Sequence, residues 1–222
     1  MSGACPPYFA SPLDRALFAA AETLLQPPGG GPLPPLPEGR FRYVLAANGL
    51  FVQARTAALE ASVALAPVPA GLPYGAARAG ARLRAGPPPS DLWADLRRRA
   101  AAACPLEWSA YVLREGAGYA IHEPPPISRD AGHVRYRPLP EGLQDRLALH
   151  VHSHGAGAAY FSAQDDRADR EGGDGVYVAV VFGRCGAVAT MTETWRLVVW
   201  RWCWPLPAPG ADGARAAGGP PG

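Results

Sequence analysis

Between His150 and Asp166 the chain reads HVHSHGAGAAYFSAQDD. Three of the five histidines of the whole sequence fall at alternate positions here, and two adjacent aspartates follow. Such a run can hold a metal, bind a phosphate, or fill a polar patch with no chemistry. On a strand, residues two apart face the same side, so His150, His152 and His154 all point one way. Imidazoles so placed can meet one tetrahedral ion. Zinc takes three or four N, O or S ligands at roughly 2.0–2.3 Å, and a catalytic site leaves one position open. Two histidines do not complete that set, so a third ligand must come from elsewhere, and Asp165 is the natural candidate.

Ser162-Ala163-Gln164-Asp165 is also a helix-start spacing, in which the serine and the acid answer each other with no metal involved. That reading accounts for the aspartate but not for a His-x-His strand immediately before it. A third reading is nucleotide hydrolysis by alternating histidines, as in histidine-triad hydrolases. Those enzymes separate and follow their histidines with apolar residues. Val151 fits; Ser153 and Gly155 do not.

The elements that must position these side chains can be read from periodicity. Apolar strands at 146–152 and 176–182 bracket a polar helix from 162 to about 170, an arrangement that allows the two strands to pair in parallel. Upstream, Ser90 caps a helix over 91–103 whose buried face is Leu92, Trp93, Leu96, Ala100 and Ala103. Further strands are expected at 106–113, 119–122, 133–137, 187–192 and 195–204. In the last, alternation puts Trp200, Trp202 and Trp204 on one face, read as core with a homodimer contact as the alternative, and Trp195 on the other. At the N-terminus, Ser11-Pro12-Leu13-Asp14 opens a helix running through Leu24 and Leu25, and a Pro/Gly linker ends it. A hairpin over 41–55 turns at Asn48-Gly49, and 61–65 adds a strand. The expected organisation is an N-terminal helix and linker over 1–39, a small β-rich unit over 40–86, a main domain over 87–204 and a disordered Pro/Gly/Ala tail over 205–222. The fold class is α+β or α/β, a mixed sheet with helices packed on it.

The pattern His-x-His, seven residues, Ser, two residues, Asp resembles the signature of JAMM (MPN+) zinc metalloproteases. Here it runs His152-Ser153-His154, then 155–161, then Ser162 and Asp165. The family also has a glutamate near the start of a buried strand after its first helix. Glu107, in CPLEWSAYVL, lies 152 − 107 = 45 residues before the first ligand position. The resemblance covers roughly residues 90–204. It departs from the family at Gly155, where a proline usually follows the second ligand histidine. Within the family, HSHGAGAAYFSAQDDR most resembles the bacterial PRTRC system protein A group. Those proteins carry an extra N-terminal region and are encoded beside an E1-like (ThiF-type) protein and a ParB-like protein.

The resemblance implies a cytidine-deaminase-like mixed sheet flanked by helices, and one zinc per chain held by His152, His154 and Asp165 with water in the fourth position. It further implies that Glu107 accepts the water proton and returns it to the leaving amine, and that Ser162 hydrogen-bonds the developing oxyanion. The bond broken would be a peptide or isopeptide amide, with a ubiquitin-like protein as substrate and an E1-like protein as functional partner. Many proteins of this fold are scaffolds that lack the metal ligands. This chain keeps all of them, and a zinc-binding but non-catalytic partner module is the alternative. The family spacing excludes His150 and His152 as the ligand pair, because Ser162 would then follow nine residues after the second ligand. His150 is left as a supporting or buried strand histidine. Asp166 falls on the exposed side of the helix, with a bond to a ligand histidine as its functional alternative. Glu60, Glu115 and Glu123 are rival bases without the strand-start context of Glu107. His122 and His133 are read as ordinary.

With 222 residues the chain can form one sizeable core with a small accessory unit. Its 21 basic residues are all arginine and its formal charge is +2, which gives no basic surface for nucleic acid. Cys5, Cys104, Cys185 and Cys203 form no C-x-x-C pair, so no zinc ribbon is expected. The most apolar stretch, 195–206, is shorter than the roughly 20 residues a bilayer needs and is broken by Arg196 and Arg201. No signal peptide is evident. A soluble cytoplasmic protein with no membrane partner is expected.

Overall fold

The computed structural model describes residues 21–68, 71–129, 134–137, 139–140, 142–171, 175–200 and 202–207. These fall into two compact units. The first holds 21–55 and 61–80, the second 56–60 and 81–207.

The N-terminal sheet runs in chain order: β1 (Glu22–Leu25), β2 (Arg40–Ala46), β3 (Gly49–Arg55), β4 (Leu59–Ala66) and β5 (Gly80–Leu83). Leu24 and Leu25, expected at the end of a helix, are instead in β1, paired in parallel with Val44 and Leu45. Backbone pairing with β2 overrides the helical spacing there. The rest of that expected helix lies outside the described residues. The hairpin forms as expected, but its turn falls one residue earlier. Ala46 pairs with Gly49, so Ala47 and Asn48 make the loop. Gly49 opens β3 at φ +149°, and a Cβ there would meet Ala66 O at 2.5 Å. Asn48 does other work: its amide brackets Ala77, donating to Ala77 O and accepting from Ala77 N, both at 2.9 Å. Alternation on β2 turns Arg42, Val44 and Ala46 inward, and Val44, Ala46, Phe51 and Ala77 form the core.

The second unit contains α1 (Ser90–Ala103), β6 (Trp108–Glu115), β7 (Gly118–His122), β8 (Pro126–Arg129), β9 (Val134–Tyr136), β10 (Leu147–Ser153), α2 (Ala163–Glu171), β11 (Val176–Gly183), β12 (Thr192–Val199) and β13 (Trp202–Leu206). Its main sheet has the order β13-β12-β11-β10-β6-β7, with β8 and β9 as a separate pair. β10 and β11 are parallel and joined through α2; the other neighbours are antiparallel. It is a mixed sheet with few helices, compatible with a JAB-like fold.

The helices cover opposite faces. Trp93 of α1 stacks on Trp195 at 5.0 Å and meets Phe182 edge-on at 5.4 Å. Those residues alternate with the ones that share the histidine face, against which α2 lies. Ser90 is the first residue of α1 rather than its cap; Pro89 holds the cap position and makes no side-chain bond. Residues 187–192, expected as a strand, instead contain a 3-10 turn over Val188–Thr190, held by Thr190 Oγ1 donating to Ala187 O at 3.1 Å. The expected single strand 195–204 is two strands. The chain reverses at Trp200, which adopts φ +54°, and Trp204 and Trp202 pair with Leu197 and Val199. The three tryptophans still lie in a row, Trp200 against Trp202 at 6.1 Å and Trp202 against Trp204 at 6.5 Å, but the row is not core: Trp202 is 40% exposed. Among the described residues, no helix is long and apolar enough to cross a membrane. His133, Cys5 and the tail beyond 207 lie outside the described residues.

Candidate metal centre

Strand register assembles one polar face. β6 and β10 pair His150 with Tyr111, His152 with Ser109 and Ser153 with Trp108; Glu107 and His154 lie just beyond the end of that ladder, and the Glu107 charge is felt at His154. β11 runs alongside with Ala179 and Val181 opposite His150 and His152. Three alternating histidines thus emerge in a row from the central strand, as the period of two requires.

The chain after His154 folds back tightly. Gly155 adopts φ +52°, and a Cβ there would meet Pro105 O at 2.2 Å. A proline at this position is excluded twice, by its fixed negative φ and by that contact. The departure from the family pattern is therefore a different turn, one that brings the backbone two residues before Glu107 against the backbone beside a candidate ligand. His154 N donates to Phe182 O at 2.9 Å, Cys185 N to Gly155 O at 2.8 Å and Arg184 N to Gly157 O at 2.6 Å. These bonds fasten the loop to the end of β11 and deliver Ser162 and α2 to the histidine face.

There, His152, His154 and Asp165 offer ligand atoms that all lie within 4.8 Å of one another. His152 Nε2 is 3.1 Å from Asp165 Oδ1, and His154 Nε2 is 3.5 Å from Asp165 Oδ2. Tetrahedral bonds of roughly 2.1 Å place ligand atoms about 3.4 Å apart, so the spacing fits zinc. The short distance at His152 is not a well-formed hydrogen bond. Its Nε2 is buried with no hydrogen-bond partner. A buried polar atom left unpaired costs about 1–3 kcal/mol, and an ion would satisfy it. Burial alone would raise the Asp165 pKa, but the close imidazoles of His152 and His154 and the hydrogen bonds from Ser162 outweigh it and hold the carboxyl far below the usual carboxylate range. The hydrogen bond from His154 to Asp165, opposed by desolvation and aided by the charge of Glu107, raises the His154 pKa.

Ser162 also makes the metal-free contact its spacing suggests. Its backbone N and its Oγ each donate to Asp165 Oδ2 at 2.7 Å, and Asp165 N donates to Ser162 Oγ at 3.2 Å. The cap and the cluster coexist: one oxygen of Asp165 closes the helix while the carboxylate as a whole faces the imidazoles. Glu107 is half-buried, immediately before β6. Among its rivals, Glu123 accepts from Trp108 Nε1 at 3.0 Å and Arg99 Nη1 at 2.5 Å. Glu115 lies at the far end of β6, 3.6 Å from Arg146, and Glu60 pairs with Arg82 at 2.6 Å.

His150 stands back from the cluster. Its Nε2 is 3.1 Å from Ser109 Oγ. Desolvation, with repulsion from His152, pushes its pKa down to about 4, so the ring is neutral. Asp166 bonds no histidine. It accepts from Arg196 Nη1 at 2.5 Å, while Arg196 forks its Nε (2.9 Å) and Nη2 onto Asp169. Tyr177 OH donates to Asp169 Oδ1 at 2.7 Å, and the Arg196 guanidinium lies 3.8 Å over the Phe161 ring, next to Ser162. Sequence reading missed this network. Its signal was present: one arginine inside the apolar strand TWRLVVW must find an acid, and Asp166 and Asp169 lie three apart on a polar helix.

Residues 89–198 match the family model of prokaryotic homologs of the JAB domain, and residues 11–84 match a domain of unknown function (DUF2016). This chain therefore belongs to the JAB family. An N-terminal domain ahead of the JAB domain is consistent with a protein of the PRTRC-like group. A search of the curated proteins gives no match.

Proposed function

We propose that the chain is a zinc-dependent JAMM-type isopeptidase, built on the cytidine-deaminase-like arrangement of that family, which hydrolyses a peptide or isopeptide bond at the C-terminus of a ubiquitin-like protein supplied by an E1-like (ThiF-type) partner. The observation that carries the reading is the buried, unpaired His152 Nε2 within 3.1 Å of Asp165 Oδ1, with His154 completing a three-donor set. His152, His154 and Asp165 would hold the zinc. When bound, zinc supplies Lewis acidity and lowers the pKa of water to about 7.

The remaining work belongs to the chain. Glu107, whose charge is felt at His154, accepts a proton from the attacking water. As water adds to the carbonyl carbon and the C–N bond breaks, the same carboxyl delivers that proton to the leaving amine. Ser162 has one hydroxyl proton, which it gives to Asp165 Oδ2. Turning that proton to the developing oxyanion requires releasing this bond, and the Ser162 N–H remains on Asp165 to keep the carboxylate oriented. The exposed Tyr160, edge-on to His154 at 4.9 Å, stands beside the cluster where a substrate chain would pass.

The same Ser162–Asp165 bond favours a second reading, a zinc-binding scaffold in which the serine only caps α2. One experiment separates the two. Purified protein is assayed for zinc and for cleavage of a ubiquitin-like protein carrying a C-terminal amide-linked fusion, as wild type, Glu107→Gln and His152→Ala. The isopeptidase binds about one zinc, loses cleavage but not zinc in Glu107→Gln, and loses both in His152→Ala. A protein that binds zinc, cleaves nothing and is indifferent to Glu107→Gln is the scaffold. A wild type without zinc refutes both.

A further inference from the structure

The N-terminal unit contains a cavity of about 850 Å³ at the open end of its core, lined by the glycine run Gly29–Gly31, by Gly75–Arg78 and by Arg42, Gln53 and Tyr74. Its volume is in the range of small-molecule sites. Among the described residues, no Asp or Glu lines it.

Arg42 is the unusual wall. It is 5% exposed. Its Nε donates to Gln53 Oε1 at 2.8 Å and its Nη1 to Pro34 O at 2.6 Å, both neutral acceptors. Glu22 is its register neighbour on β1 and is exposed, but among the described residues no ion pair forms with it. A buried guanidinium is ordinarily paired with an anion, because leaving the charge uncompensated is costly. Here two neutral bonds fix its plane and leave Nη2 and one Nη1 hydrogen free. Arg78, exposed on the same cavity, has no carboxylate partner among the described residues.

The glycine part of the lining allows close approach. A Cβ added at Gly29 or Gly30 would meet nothing within 4 Å, and both glycines have φ near +75°, a conformation that other residues rarely adopt. The cavity thus presents two arginines beside glycine backbone; Gly30 N and Gly75 N are already bonded to Pro27 O and Gln26 O at 3.1 Å, so the charge of the arginines is what the site offers a ligand. A planar guanidinium held in place matches the paired oxygens of a phosphate, and a second arginine suits a dianion better than a single carboxylate.

We propose that this cavity is a binding site for a small phosphate-bearing ligand, held by Arg42 and Arg78 against the Gly29–Gly31 backbone. The site stands apart from the zinc reading and does not depend on it.

The test uses the full chain, freed of metal so that phosphate cannot report on the histidine cluster. Inorganic pyrophosphate and citrate are titrated by calorimetry at low and high salt, and amide shifts are followed by NMR. Pyrophosphate should bind, shift Gly29, Gly31 and Gly75, and weaken as salt rises. Arg78→Ala, at an exposed position, should weaken binding by about tenfold or more without loss of fold, the size of one charge-assisted contact. Arg42→Lys, which keeps the charge but loses the fork, should weaken it as well. The proposal is overturned if pyrophosphate does not bind, if both variants bind as wild type does, if citrate binds as tightly as pyrophosphate, or if deleting residues 1–20 is what first opens the cavity to ligand. Zinc content, measured separately, decides the other reading whatever happens here.

Discussion

Asp165 and Asp169 stand one turn apart on α2, and both reach the face of the sheet that carries the histidines. Asp169 is 7% exposed and fully engaged: Arg196 forks onto one of its oxygens and Tyr177 donates to the other. Asp165 meets two imidazoles, one of which has a buried nitrogen with nothing to bond. In the Asp169 cluster both carboxylate oxygens have donors, from Arg196 and Tyr177. In the Asp165 cluster Ser162 donates to the carboxylate, yet His152 Nε2 stays buried and unsatisfied beside it. On one helix, a closed network fastens the element down and an open one is left for a ligand, and the satisfaction of each polar atom distinguishes them.

That contrast can be broken, and the strongest blow falls on the closed network. Arg196→Leu leaves Asp169 buried without its cation and should cost about 3–5 kcal/mol in urea denaturation; a loss below 1 kcal/mol would mean that the network does not hold α2. Arg196→Lys should recover only part, since an ammonium cannot fork. The open cluster should respond in the opposite way. His152→Ala should weaken zinc binding by more than about 100-fold, beyond the 10–100-fold typical of outer-shell partners, yet change metal-free stability far less than Arg196→Leu does. Equal destabilisation of the metal-free protein by both would erase the distinction. Gly155→Ala forces a left-handed φ and a 2.2 Å contact on a side chain and should cost about 1–3 kcal/mol. Cleavage should fall more than zinc content does, because the displaced Pro105 leads to Glu107. Smallest is Tyr177→Phe, which removes one hydrogen bond to Asp169 and should cost about 1 kcal/mol, with zinc affinity little changed in a metal titration.

What the sequence made legible follows from how local the cause is. His152, His154, Ser162 and Asp165 could be read together because the period of a strand and the first turn of a helix fix their directions. The parallel pairing of β10 and β11 was readable from a helix between two apolar runs. The Arg196 network was not, because it joins residues 27 and 30 positions apart, and no local spacing encodes which acid an arginine will find. Asp166 was read as solvent-facing for the same reason. The reversal at Trp200 was missed because no Gly, Pro, Asn or Asp marks a turn there; it is made by a tryptophan at positive φ. Gly155 stood in the sequence only as a departure from the family's proline. Only the approach of Pro105 shows that no side chain fits there.

The stretch between His154 and Ser162 is tied at both ends and stapled to Phe182, Arg184 and Cys185 along its length. Its outer positions Ala156, Gly157, Ala158 and Tyr160 are exposed. Such a segment behaves as a ruler: its lettering is free to drift while its length is not. Substitutions at the exposed positions should pass through selection easily, whereas a single inserted or deleted residue would carry α2 out of phase with the histidines. The count of seven between the two halves of the motif is in this sense a mechanical tolerance, and a library built on this scaffold should diversify that loop by exchange and never by extension.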